Sequence, residues 1–154
     1  MPKTDDRRTI ILFHPRTLHE RNYRYFYVPY SVLSVASTLA RAEYRVLVVD
    51  NNVENLDEFG SVLRDVADDL LCVGISSMIG HQIRDGLRFA RAVRELDAAI
   101  PIVWGGALPT VLPEETIAHP DVDIIVQGQG QATFRDLVDC LAQDRDLSQV
   151  PGIS

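Results

Sequence analysis

The chain has 154 residues, 46% of them apolar and 24% charged, and carries a net charge of −7. A chain of this size fits one domain with a substantial core, and no run in it nears the ~20 apolar residues of a membrane-spanning helix. The acidic balance argues against nucleic acid as a partner, because backbone phosphates need a basic surface.

Residues 1–8 read as a charged, disordered tail rather than a secretory signal. The apolar run at 9–13 predicts a first strand, and Pro15 stops it at His14-Pro15-Arg16. A long loop at 17–29 holds Tyr23, Tyr25, Phe26 and Tyr27; structureless loops of such length are uncommon and often functional. Residues 30–42 predict a helix with Val32, Leu33, Val35, Ala36 and Leu39 as its apolar stripe. The run RVLVVD at 45–50 is a second strand. A helix follows over 56–67, with Phe59, Leu63 and Val66 at helical spacing.

Residues 70–75, LLCVGI, form the third strand, whose unbroken apolar run suits burial on both faces of a parallel sheet. Residues 82–96 predict an amphipathic helix. Ile83, Leu87, Ala90, Val93 and Leu96 face inward, and Arg84, Arg88, Arg91 and Arg94 form the solvated side. A fourth strand at 100–104 has Pro101 at its start, where a missing ladder donor is tolerated. A short helix at 113–118, a fifth strand at 122–126 and a last helix at 132–141 complete the pattern. Strict strand–helix alternation predicts an α/β, Rossmann-like (flavodoxin-type) three-layer fold. Its five-stranded parallel sheet has the order 2-1-3-4-5, with right-handed crossovers. Cys72 and Cys140 lack CxxC spacing, which points to a reducing, cytoplasmic setting without a zinc or iron–sulfur site.

The unusual residues all follow strands and so gather along one edge of the sheet, where open α/β folds bind ligands. His14, Pro15 and Arg16 leave the first strand. Ser76, Ser77, Met78, Gly80 and His81 leave the third. Gly105, Gly106, Ala107, Pro109 and Thr110 leave the fourth, and Gly128, Gln129, Gly130 and Gln131 the fifth. The serines could bond a ligand's polar edge or cap the next helix, and the two roles are compatible. The glycine pair could clear room for a flat ligand or simply make a turn. Gly128-Gln129-Gly130 lacks both the GxGxxG spacing and the Lys and Ser/Thr of a P-loop, which argues against a dinucleotide site. His14, His19, His81 and His119 show no metal-ligand spacing, and no nucleophile–base arrangement stands out. The residues describe a wide, glycine-lined pocket of low charge, suited to a bulky, largely neutral ligand.

The segments VPYSVLSVASTL, RVLVVDNN, VGISSMIGHQI, IPIVWGGALPT, VDIIVQGQGQ and VPGIS together resemble the N-terminal cobalamin-binding domain of B12-dependent radical SAM enzymes, over residues 9–154. The resemblance implies cobalamin at the C-terminal edge of the sheet, its nucleotide tail inserted and its corrin over the loops. Ser76, Ser77 and Met78 would flank the tail, Gly105 and Gly106 would let it pass, and Thr110 and 128–131 would form the remaining wall. It divides the chain into a tail (1–8), a cobalamin-binding domain (9–145) and a linker (146–154) toward a missing C-terminal domain. S-adenosylmethionine and a [4Fe-4S] cluster would belong only to that catalytic domain, in cis or in trans, since this chain has no CxxxCxxC. On this reading the chain alone is not catalytic and serves a methyltransferase or related enzyme.

Three features depart from the family pattern. The Asp-x-His-x-x-Gly of methionine-synthase-like domains is absent after the first strand. This suggests base-off cobalamin without a histidine ligand, with His14 or His19 as the alternative. Leu108 replaces a frequent His, and Gln129 and Gln131 replace frequent acids. Two other functions stay open on the sequence: a ligand-free regulatory or interaction module, and a flavodoxin-like nucleotide-binding domain.

Overall fold

Five parallel strands follow from five apolar runs. In the computed structural model, which describes residues 7–17, 28–39, 43–54 and 56–154, they are β1 (Arg8–His14), β2 (Tyr44–Asp50), β3 (Leu70–Ser76), β4 (Ile102–Gly105) and β5 (Ile124–Ile125). Their order is β2-β1-β3-β4-β5, as the alternation predicts, and every neighbouring pair is parallel. The helices are α1 (Tyr30–Thr38), α2 (Asn51–Glu54), α3 (Gly60–Arg64), α4 (His81–Leu96), α5 (Ala107–Val111), α6 (Pro113–Ile117) and α7 (Gly130–Ala142). Residues 1–6 of the expected tail, His19 and the aromatic residues of 23–27 lie outside the described residues.

Alternation along β1 sends Ile10 and Leu12 to one face and Ile11 and Phe13 to the other, building two cores. The first core joins Phe13, Phe59, Phe89 and Trp104 beneath α3 and α4. Phe13 stacks on Phe89 at 4.1 Å, and Phe59 meets both rings edge-on at 5.4 and 5.2 Å. The second core sets Val32 of α1 and Phe134, Leu137 and Val138 of α7 against Leu12 and Val103. Gly74 makes this contact possible, since a Cβ there would stand 2.9 Å from Leu12 and 3.1 Å from the Phe134 ring.

Several boundaries differ from the sequence reading. The helix expected over 56–67 shortens to α3, with turns after it and α2 before it. An additional helix, α5, follows the glycine pair; Pro109 is tolerated as its third residue because that N–H has no intrahelical acceptor. β5 contracts because Asp123 bonds β4 with its carboxylate as well as its backbone: Ile102 N–H donates to Oδ2 at 2.8 Å, and Asp123 N–H to Ile102 O at 3.0 Å.

The inward face of α4 is rotated by about one residue from the expected stripe. Gln82, Asp85, Gly86, Phe89, Ala90 and Val93 are buried, while Ile83, Leu87 and Leu96 are half-exposed. The reason is Trp104: a Cβ on residue 86 would lie 2.8 Å from its ring, so Gly86 must face it.

Residues 147–149 form a 3-10 turn, and the segment after them packs on the sheet. Ile153 pairs antiparallel with Val126. Ile125 N–H donates to Ser154 O at 2.8 Å, and Gln127 N–H to Gly152 O at 3.0 Å. No helix among the described residues is long and apolar enough to cross a membrane.

Candidate cofactor site

A cleft of about 210 Å³ descends beside the central strand, between the sheet, α1 and α7. Seven of the residues singled out from the sequence line it: Ser76, Gly105, Gly106, Gly128, Gln129, Gly130 and Gln131. Gly105 has nothing within 4 Å of where its Cβ would be, so any side chain there would begin in open space at the cleft. Gly106 is constrained instead. Its φ is +96°, and a Cβ would stand 2.5 Å from Ser77 O, so only glycine lets the β3 and β4 exits approach so closely.

Backbone bonds stitch these exits. Ser77 N–H donates to Gly105 O at 2.9 Å and Leu108 N–H to Ser77 O at 3.2 Å. The Thr110 hydroxyl then donates to Gly106 O at 2.8 Å and accepts from Gly128 N–H at 2.9 Å, which fixes the last wall of the cleft. Thr110 itself is exposed and outside the lining, so its contact with the cleft is indirect.

The other sequence candidates sit around this cleft rather than in it. Neither serine caps α4, whose N-cap is Gly80 with no side-chain bond. Ser77 is buried and its Oγ has no partner. Met78, Gly80 and His81 are exposed at the β3 exit, and Ala107 is exposed and Pro109 buried on α5. His14, Pro15 and Arg16 lie at the β1 exit; Pro15 and Arg16 bond Asn52 and Asp85 on the side of α2 and α4, whereas His14 shares the strand face of Ile10 and Leu12. Burial holds the His14 imidazole below its usual pKa against the opposing pull of Asp50, and its Nδ1 is buried without a partner. Burial likewise pushes the Cys72 thiol up to about 12, which leaves it inert. Among the described residues no cluster of His, Cys, Asp or Glu could hold a metal ion.

Sequence reasoning missed Ser31, Ser34 and Val35 of α1, Gly74 of β3 and Phe134 of α7, all of which line the cleft. Serines at 31, 34 and 37 interleaved with the apolar stripe of α1 are the signal that could have marked a helix facing a ligand. Also missed were the buried polar residues Asn51, Gln82 and Asp85.

The chain matches the B12 binding domain family over residues 20–138. It belongs to that family. Cobalamin is the family's cofactor, and the cleft fits such a guest: it lies beside the central strand, and at Gly105 nothing stands within 4 Å of where a side chain would begin.

Among curated proteins, the B12-binding domain is 32% identical over 130 residues to the anaerobic magnesium-protoporphyrin IX monomethyl ester cyclase of Synechocystis, covering 82% of this chain and 26% of that one. It is 28% identical over 125 residues to an uncharacterized methyltransferase of Pyrococcus horikoshii, covering 79% of this chain and 27% of the other. The chain therefore spans about a quarter of the length of these relatives.

Two radical S-adenosylmethionine enzymes of known structure share the fold. TsrM from Kitasatospora setae superimposes with a TM-score of 0.77 at 19% identity, covering 95% of this chain and 28% of that one. Cobalamin-dependent OxsB superimposes with a TM-score of 0.76 at 20% identity, covering 96% and 20%.

Proposed function

We propose that this domain holds cobalamin base-off, with its nucleotide tail in the cleft and its corrin across the strand exits, for a radical SAM methyltransferase or related catalytic unit acting in cis or in trans. The open space in front of Gly105, within a cleft that runs down beside β3, is the observation that carries this reading. A narrow appendage fits such a slot, whose lining among the described residues is glycine, serine, glutamine and apolar side chains.

When bound, the cofactor supplies methyl-transfer or radical chemistry at cobalt. This chain's residues contribute position. Gly105 and Gly106 leave the passage, Ser76 offers a hydroxyl along it, and the Gly128–Gln131 loop closes the outer wall. The β1 exit carries His14-Pro15-Arg16-Thr17 where methionine-synthase-like domains have Asp-x-His-x-x-Gly, which supports a cobalt without a histidine ligand from this domain. The likeness to methyltransferases and to a porphyrin-ester cyclase supports a catalytic unit of the radical SAM class as the partner.

Reconstitution with hydroxocobalamin tests the reading. The corrin should co-elute with the protein in gel filtration and show a base-off visible spectrum, unchanged by His14→Ala or His19→Ala. Complete separation of corrin from protein would overturn cobalamin binding. A spectrum that reverts on either histidine substitution would overturn the unligated cobalt.

A further inference from the structure

The half of the edge away from the cleft is filled by buried polar side chains, most of whose bonds go to backbone. Asn51 is fully buried, Gln82 is 4% exposed and Asp85 is 6% exposed. Asp85 Oδ2 accepts Arg16 N–H at 2.8 Å and Asn51 Nδ2–H at 2.8 Å. Gln82 Oε1 accepts Met78 N–H at 2.8 Å, while its Nε2 reaches Pro15 O at 3.5 Å. Asn52 completes the set: Thr17 N–H donates to its Oδ1 at 2.8 Å, and its Nδ2 reaches Pro15 O at 3.4 Å.

Apolar side chains of the same volume would fill this space at no desolvation penalty, so the polar choice needs another reason. What the bonds share is their far end. Most of them terminate on main-chain groups of the β1 and β3 exits, Pro15, Arg16, Thr17 and Met78, and tie the two loops to α4 and to each other.

We infer that Gln82 and Asp85 are positioning residues that hold the β1 and β3 exits as a rigid seat for the corrin ring, an inference that rests on cobalamin occupying the cleft. A cleft of about 210 Å³ takes only a slender part of so large a ligand, and the remainder must lie on the neighbouring exits. The seat presents suitable chemistry: Met78 and Ile79, on the loop that Gln82 anchors, are 59% and 74% exposed. Large apolar groups on a loop fixed in advance favour a flat, rigid face, because little ordering remains to be done on binding.

The geometry also dictates which substitution is tolerated. Both short bonds to Asp85 end on Oδ2, whereas among the described residues Oδ1 meets Arg88 at 3.4 Å. One inward-facing oxygen is therefore enough, and an amide can supply it.

The test uses dicyanocobinamide, which has the corrin ring but lacks the nucleotide tail, beside hydroxocobalamin. Gln82→Met and Asp85→Ala should each weaken dicyanocobinamide binding tenfold or more and alter the circular dichroism of the bound corrin. Asp85→Asn should restore both readouts. Three results would each overturn the seat. The first is wild-type protein that binds hydroxocobalamin but not dicyanocobinamide. The second is folded Gln82→Met with wild-type affinity and dichroism. The third is Asp85→Asn as defective as Asp85→Ala. If Asp85→Ala does not fold, Gln82→Met decides. Failure of the wild-type chain to retain hydroxocobalamin would instead strike the proposed function itself.

Discussion

The two halves of the sheet's C-terminal edge solve opposite problems. Toward α1 and α7, the exits of β4 and β5 carry glycine, β3 ends in Ser76, and a hollow is left. Toward α4, the exits of β1 and β3 meet Asn51, Gln82 and Asp85, and the space is filled by paired polar groups. One sheet thus offers a slot on one flank and a solid shelf on the other. Side-chain removal makes the first, and side-chain-to-backbone bonding makes the second.

The largest effect should come from the joint between the halves. Gly106→Ala forces a Cβ to 2.5 Å from Ser77 O at a φ of +96°. It should lower stability by about 3 kcal/mol, read as a shift in the urea midpoint at unchanged slope. A neutral Gly106→Ala would show that the β3 and β4 exits are not locked together.

Gly105→Val separates the roles of the glycine pair. Its Cβ meets nothing within 4 Å, so urea unfolding should be unchanged or slightly improved. Hydroxocobalamin affinity should nonetheless fall roughly a hundredfold, about 2.7 kcal/mol, because the side chain occupies the slot. Dicyanocobinamide, without a tail, should lose much less. Equal losses for both ligands would break the division into slot and shelf.

These two residues were legible before any coordinates, because glycines placed directly after a strand stand out against a helix-rich, apolar background. The shelf was not. Asn51 and Asp85 are 34 residues apart and Arg16 and Asp85 are 69 apart, so nothing local marks them as partners. Periodicity alone placed Ile83 and Leu87 inside α4. The requirement that Gly86 face Trp104 turned the helix and brought Gln82 and Asp85 inward instead. Strand order and helix alternation needed only apolar runs and were readable for that reason. α5 was hidden because Pro109 reads as a breaker unless it falls in a first turn.

A smaller effect is expected at Thr110. Thr110→Val keeps the shape but removes both bonds of the hydroxyl. Since the residue is exposed, the loss should be about 1 kcal/mol, with faster hydrogen exchange at the Gly128 amide as the local sign. Thr110→Ser should recover most of it.

The smallest effect concerns pH. Because burial lowers the folded-state pKa of His14 below its ordinary 6.5, the unfolded chain binds that proton more readily. This contribution to stability is complete above pH 6.5 and is lost as pH falls below it. His14→Gln should flatten the decline in stability between neutral and mildly acidic pH. An unchanged slope would place the sensitivity elsewhere.

Border strands with unpaired amides invite a second chain to dock along them. β5, only two residues long, would be such a ledge if Ile125 and Gln127 did not already give their N–H groups to Ser154 and Gly152. Residues 152–154 therefore act as a selvedge: they take up the two amides that a neighbouring strand would otherwise knit onto.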